Sequence, residues 1–396
     1  VWNLQQVRDK QLQSLWTYST NGDGGKLFTW GNNNDGQLGL NQPTSTKYSS
    51  PVQIPGTTWT NMSIDGGGYA QDDDSWAVVK TDGTLWCWGD NENGQLGDGT
   101  VVEKSSPVQI PGSTWKYVES DGDSRAAIKT DGTLWVWGRG DIGQLGDNSS
   151  GPSAKVSSPK QVPGSTWSRV SVGYRQLLAT KTDGSLWTWG SNSDGAGGFN
   201  EAPSNRKSSP VQIPGSTWSR PIAGREIAGG VKTDGTLWMW GRGSDGALGN
   251  NDRTNRSSPI QVPGTTWKQF TSGSQPYVIA VKTDGTAWGW GDNQYGQLGL
   301  NQSSRPPGAS KISSPTQIGS GTDWSMFSAS YYMSAGTKTD GTLWVMGDNG
   351  NAAPSGNGGA LGLNDTVSRS SPTQIPGTNW SEVGCGNGFG MAKQDL

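Results

Sequence analysis

Apolar residues come in short runs along this chain, separated by turns rich in Gly, Asp, Asn and Ser. "AVVK" (77–80) is apolar and β-branched, "TLWCWG" (84–89) alternates, and Asp82-Gly83 stands between them. An Asp-Gly pair between two such runs predicts a hairpin, because the tight turn needs residues that tolerate positive φ. "PVQIP" (107–111) reads as a third short strand, with prolines at its ends. "TWKYVES" (114–120) reads as a fourth. No helical periodicity interrupts this pattern between 26 and 394.

The pattern repeats. "LWxWG" cores stand at 28–31, 86–89, 135–138, 187–190, 238–241, 288–291 and 344–347. A Ser-Pro pair follows each, ending at Pro51, Pro107, Pro159, Pro210, Pro259, Pro315 and Pro372. A lone Trp follows each pair: Trp59, Trp115, Trp167, Trp218, Trp267, Trp324 and Trp380. Four short antiparallel strands in a repeat of roughly 50 residues match one blade of a propeller. The prediction is therefore an all-β, seven-bladed β-propeller of four-stranded blades.

The chain ends sharpen it. The last unit stops where its hairpin should continue, and the first lacks its opening strand. Residues 389–394 should pair beside 26–30 and close the ring, leaving no open edge at the seam. The predicted organisation is an N-terminal arm over 1–25 and the propeller over 26–396. Within the arm, Leu4, Val7, Leu12 and Leu15 fall on one half of a helical wheel, with Trp16 beside them. This reads as a short helix, packed on the rim or serving as a docking arm.

Composition narrows the function. Hydrophobic residues make up only 30% of the chain, while Gly (62) and Trp (22) are abundant. Large Trp side chains can fill a core that has few aliphatics. The net charge is -3, without a run of like sign, so a basic nucleic-acid footprint is not expected. No apolar run is long enough to predict membrane insertion by a helix. With no histidine, Ser-His-Asp, Cys-His and His-zinc sites are excluded. Cys87 and Cys385 could form at most one bridge. The reading is a non-enzymatic protein with no cofactor and no metal.

"LWxWGxNxxGQLG" followed by "SSPxQIPG" resembles the regulator of chromosome condensation repeat family over about 26–394. The resemblance implies a seven-bladed propeller. "GQLG" is intact at 36–39, 94–97, 143–146 and 296–299, and decays to "GAGG" at 195–198, where a loose corner is expected. The family's founding member is a nucleotide exchange factor for a small nuclear GTPase and binds chromatin. This chain departs from it in lacking a basic tail and any histidine. Its uniform repeats, rich in Trp, Asn, Ser and Thr, are similar to bacterial and bacteriophage members, as is the leader "VWNLQQVRDKQLQSLW". That likeness implies a virion component, such as a tail-fibre, receptor-binding or capsid-decorating protein, found in the virion or outside the cell. A secreted inhibitor-like propeller is the alternative, and an exchange factor a third reading.

Function is expected where the repeats differ. One variable loop per unit follows the fourth strand, and equivalent loops should share one face around the channel. Tyr69, Trp76, Arg125, Tyr174, Arg175, Arg225, Tyr277, Tyr331, Tyr332 and Phe389 are the predicted contacts, aromatics and arginines being typical of recognition surfaces. The expected partner is a protein or a cell-surface glycan, with other virion proteins engaged through the arm. Asp72, Asp73 and Asp74 could hold calcium, but they read more simply as an acidic loop. The repeated Trp could bind sugars, but seven locked positions read better as core. Insertions at 300–312 and 347–362 read as exposed loops.

Overall fold

The computed structural model describes residues 24–63, 75–121, 123–151, 153–303, 311–349 and 359–396. The predicted arm, with Leu4, Val7, Leu12, Leu15 and Trp16, lies outside them, as do Tyr69 and Asp72–Asp74. The strands form five four-stranded antiparallel sheets and one seven-stranded sheet. In the latter, the long strand Tyr48–Met62 is the outer strand of one blade and then the innermost strand of the next. The count is therefore seven blades.

One blade shows how the sequence is used. Trp115–Asp121 is innermost, followed outward by Ser124–Lys129, Leu134–Arg139 and Lys155–Gln161. The middle strands are buried on both faces, so they need continuous apolar runs rather than strict alternation. The outer strand is largely half-buried or exposed and carries the Ser-Pro pair, where a missing N–H costs little. The sequence unit was cut one strand out of phase. "TWKYVES" closes no hairpin behind it; it pairs forward with Ser124–Lys129 and opens the following blade.

Ring closure follows the predicted register. Phe389–Asp395 pairs antiparallel with Gly25–Gly31, from Gly25 opposite Asp395 to Gly31 opposite Phe389. The seam blade takes its two inner strands from the C-terminal end and its two outer strands from the N-terminal end.

Blades are joined by the repeated motifs themselves. In five cores the second Trp donates its indole N–H into the "GQLG" corner of the preceding blade: Trp88 to Gln37 O, Trp137 to Gln95 O, Trp189 to Gln144 O, Trp240 to Ala196 O and Trp290 to Ala247 O, while Met346 takes the place of Trp in the core at 344–347. These rings are buried, so the repeated Trp is core between blades, each contributing on the order of 2–3 kcal/mol. Gly39, at φ 67°, shows why the corner ends in glycine: a Cβ there would lie 2.7 Å from Trp88 Nε1. Two residues further on, a backbone N–H reaches the Ser-Pro strand of the next blade, as in Asn41 N to Ser105 O at 2.7 Å. The corner at "GAGG" is not loose. Trp240 still reaches Ala196 O at 2.8 Å, and the Phe199 ring occupies the space a side chain on Gly197 would fill.

The Asp-Gly turns carry a second device. Asp82 accepts from the backbone N–H and hydroxyl of Thr84, and Thr84 Oγ1 accepts from Trp86 Nε1. Lys80 Nζ then lies 4.4 Å from the Trp59 ring centre and 3.9 Å from that of Trp86. The same Lys-Trp-Trp clamp recurs at Lys129, Lys181, Lys232, Lys282 and Lys338. Cys87 and Cys385 are free and buried; burial pushes the Cys87 thiol up to about 12.

Candidate functional site

The variable loops connect the first and second strands of each blade. They share the end of the ring opposite the Asp-Gly turns, and they interlock. Gln176 Nε2 donates to Gly224 O and Ile227 O, both at 3.1 Å, and Ser330 Oγ donates to Gly386 O at 2.7 Å. Among the described residues these loops are tight, closing through bonds such as Gly224 N to Ile227 O and Ser330 N to Met333 O, and they leave little chain to project.

Burial overturns four of the predicted contacts. Trp76, Arg125, Tyr277 and Phe389 are buried. They occupy the first or second position of second strands, where the side chain packs between blades rather than outward. Trp76 packs edge-on to Phe389, with ring centres 5.3 Å apart. The Arg125 guanidinium donates to Ser75 Oγ across the blade junction. Tyr277 puts its hydroxyl within 2.8 Å of Met333 O, 3.0 Å of Ser330 O and 3.1 Å of Ser334 Oγ. These side chains hold neighbouring hairpins in place and cannot meet a partner.

Five of the predicted residues do stand at the surface, half-buried, in two groups. In the first, the Arg175 guanidinium sits 4.7 Å from the Tyr174 ring centre and Arg225, from the next blade, sits 6.0 Å from it. Burial raises the Tyr174 hydroxyl above its ordinary range, while Arg175 opposes this. Arg175 has φ 66°, a left-handed conformation that is uncommon for a long side chain. In the second group, Tyr332 stacks against Tyr331 at 4.2 Å and against Tyr295 at 4.0 Å. Burial, then the neighbouring Tyr331, drives the Tyr332 hydroxyl well above its usual value.

Several residues of this face were missed from sequence. Tyr295 comes from a "GQLG" corner, which lies at the same end of the ring as the hairpins. Its signal was available: the position before the repeated glycine varies, holding Asp35, Asn93, Ile142, Asp194, Asp245 and Tyr295. Arg139 bridges Asp123 at 2.8 Å and Asp141 at 2.9 Å, and Arg242 pairs with Glu226 and, at 3.2 Å, Asp245. These pairs flank the Tyr174 group and leave it nearly balanced in charge.

Among the described residues, no group of three His, Cys, Asp or Glu could hold a metal ion. No helix among them is long and apolar enough to cross a membrane.

A family model described as an RCC1-like domain matches residues 26–392. Human E3 ubiquitin-protein ligase HERC2 is 24% identical over 238 residues, covering 60% of this chain and 4% of HERC2. The ultraviolet-B receptor UVR8 of Arabidopsis thaliana is 27% identical over 186 residues, covering 46% of this chain and 42% of UVR8. The chain thus spans less than half the length of these relatives. Among solved structures, Prp20p of Saccharomyces cerevisiae, described with its binding to Gsp1p and histones, superposes with a TM-score of 0.79. It is 17% identical, covering 95% of this chain and 92% of Prp20p. Human WBSCR16 superposes at 0.76, with 19% identity over 94% of this chain and 99% of its own. At these identities the structures establish the fold.

Proposed function

Since the chain belongs to the RCC1-like domain family, we propose that it is a non-enzymatic recognition module that binds a protein partner through its hairpin face. The observation that carries this is Tyr174 set between Arg175 and Arg225 on adjacent blades. Tyr and Arg held half-buried on a rigid frame are the residue types that dominate binding energy at interfaces. The Tyr295–Tyr332–Tyr331 stack extends the surface by two blades. Strain at Arg175 fits a residue held for contact rather than for folding.

For the setting, we propose a virion or extracellular role. Its support is the uniform, Trp- and Asn-rich repeat style and the leader. The test is whether the full chain co-purifies with phage particles or binds intact host cells, and whether Tyr174→Ala with Arg225→Ala abolishes this. A chain that neither joins particles nor binds cells would overturn the setting.

A second reading is favoured by one observation, the superposition on Prp20p. If this chain were an exchange factor, it would accelerate nucleotide release from a small GTPase. Unchanged release rates across a GTPase panel would remove that reading.

A further inference from the structure

One backbone bond recurs at the hairpin face. The residue after the glycine of each core donates its N–H to the residue just before the second strand. In three consecutive blades this joins Arg139 N to Asp123 O at 2.9 Å, Ser191 N to Arg175 O at 2.8 Å and Arg242 N to Glu226 O at 2.8 Å. The bond holds the two residues opposite each other, so their side chains are placed to interact.

In the first and third of these blades the two positions carry opposite charges and form an ion pair. Arg139 bridges Asp123 at 2.8 Å, and Arg242 pairs with Glu226. The blade between them breaks the pattern. Its hairpin position holds a cation, Arg175, and the position opposite holds Ser191, whose hydroxyl meets Ser193 Oγ at 3.0 Å. Arg175 thus lacks the counterion that the same two positions supply on either side. Among the described residues its guanidinium makes no ion pair and no hydrogen bond, and its Nε is buried without an acceptor. Asp141 interacts with it only through space. The oxygens of Asp141 already accept from Arg139 at 2.9 Å and from Gln144 at 3.1 Å. What Arg175 does have is the Tyr174 ring, 4.7 Å away. A stacked guanidinium keeps its planar donor fork pre-organised for an acceptor.

Resting on the reading of this face as the binding surface, we propose that Arg175 takes a carboxylate side chain from an acidic segment of the protein partner. The partner would complete in trans the ion pair that Asp123 and Arg139 make within their own blade. Arg forks bind carboxylates with two parallel donors. A single negative charge suits the position better than a phosphate, because Asp123, Asp141 and Glu226 flank it and would repel a dianion more strongly.

The test measures fluorescence anisotropy of three labelled peptides with the full chain: one of Gly and Glu, one of Gly and Gln, and one of Gly and phosphoserine. Saturable binding of the Glu peptide, weakening with added salt, is expected, with the Gln peptide at least about tenfold weaker. Arg175→Gln should erase that difference. Ser191→Asp supplies the missing counterion within the blade. It should hold or raise the thermal midpoint and weaken the Glu peptide at least about tenfold, while Ser191→Asn leaves both unchanged. Absent or unsaturable binding of the Glu peptide, equal binding of the Gln peptide, or tighter binding of the phosphoserine peptide would overturn the proposal. So would undiminished binding by a folded Ser191→Asp. Binding that is lost in Tyr174→Ala with Arg225→Ala but kept in Arg175→Gln would remove this inference and leave the hairpin face standing. Binding that survives both would remove the face as well.

Discussion

Trp30 donates its indole N–H to the carbonyl of Ala360, 330 residues away in sequence and one blade away in the ring, at 3.0 Å. The same bond joins Trp88 to Gln37 within the chain's first part. At the seam it therefore does for the two termini what its copies do for neighbouring repeats. Trp30→Phe should cost about 1 kcal/mol through the lost bond. Trp30→Ala should cost about 3–5 kcal/mol through the cavity. Denaturant unfolding measures both, and hydrogen exchange should show the loss first in 25–31 and 389–395. Uniform loss of protection around the ring would contradict a local role.

The seam is also the blade without a clamp. Phe28 stands where the others have Trp, meeting Trp380 edge-on at 5.3 Å. Gln394 pairs with Trp380 as Lys129 pairs with Trp115, and its amide donates to Thr378 O. Restoring both residues with Phe28→Trp and Gln394→Lys should stabilise the ring by about 0.5–1 kcal/mol, the scale of one cation–π contact. The gain should shrink in the single variants. Thermal midpoints of the four proteins form the cycle that tests it.

Asp90 gives a pH dependence. It is buried, and burial pushes its carboxyl up to about 6 from 3.8. A folded-state pKa above the unfolded one means that the folded state binds the extra proton. Stability from this group is therefore present below about pH 4, falls as pH rises towards 6, and stays low above it. The first blade carries Asn32 at the equivalent position. Asp90→Asn should remove the fall, so the variant gains on the parent by up to about 3 kcal/mol between pH 4 and 7. Parallel unfolding curves across that range provide the check; a constant difference would count against a buried, proton-binding Asp90.

The ring was legible in sequence because each blade repeats the same solution. Seven Trp registers can only mean one packed position used seven times, and the incomplete end units announced the seam. What could not be read was direction. Whether Trp115 pairs backward or forward depends on which strand lies innermost, and a repeat has no intrinsic starting point. The same ambiguity spoiled part of the site. Trp76, Arg125, Tyr277 and Phe389 are variable residues beside loops, yet the first residues of these strands face a neighbouring blade. Variation there reflects seven different junctions rather than one recognition surface. Arg125 was the hardest to foresee, since a buried guanidinium beside Ser75 is specified by contacts 50 residues away.

Two tyrosines on this face should therefore behave in opposite ways. Tyr277 is buried with its hydroxyl on Ser330 O and Met333 O. Tyr277→Phe should lower stability by about 1–3 kcal/mol, because two carbonyls lose a buried donor, and should leave the outer surface unchanged. Tyr174 is half-buried beside two arginines. Tyr174→Ala should leave the thermal midpoint within a degree or two, since surface changes away from structural features usually stay within about 0.5 kcal/mol. It should weaken partner binding by about 2 kcal/mol or more, the scale of an interfacial hot spot. Measuring midpoint and binding on both variants separates the roles. If Tyr174→Ala lost stability while Tyr277→Phe lost binding alone, the assignment of surface and support on this face would be reversed.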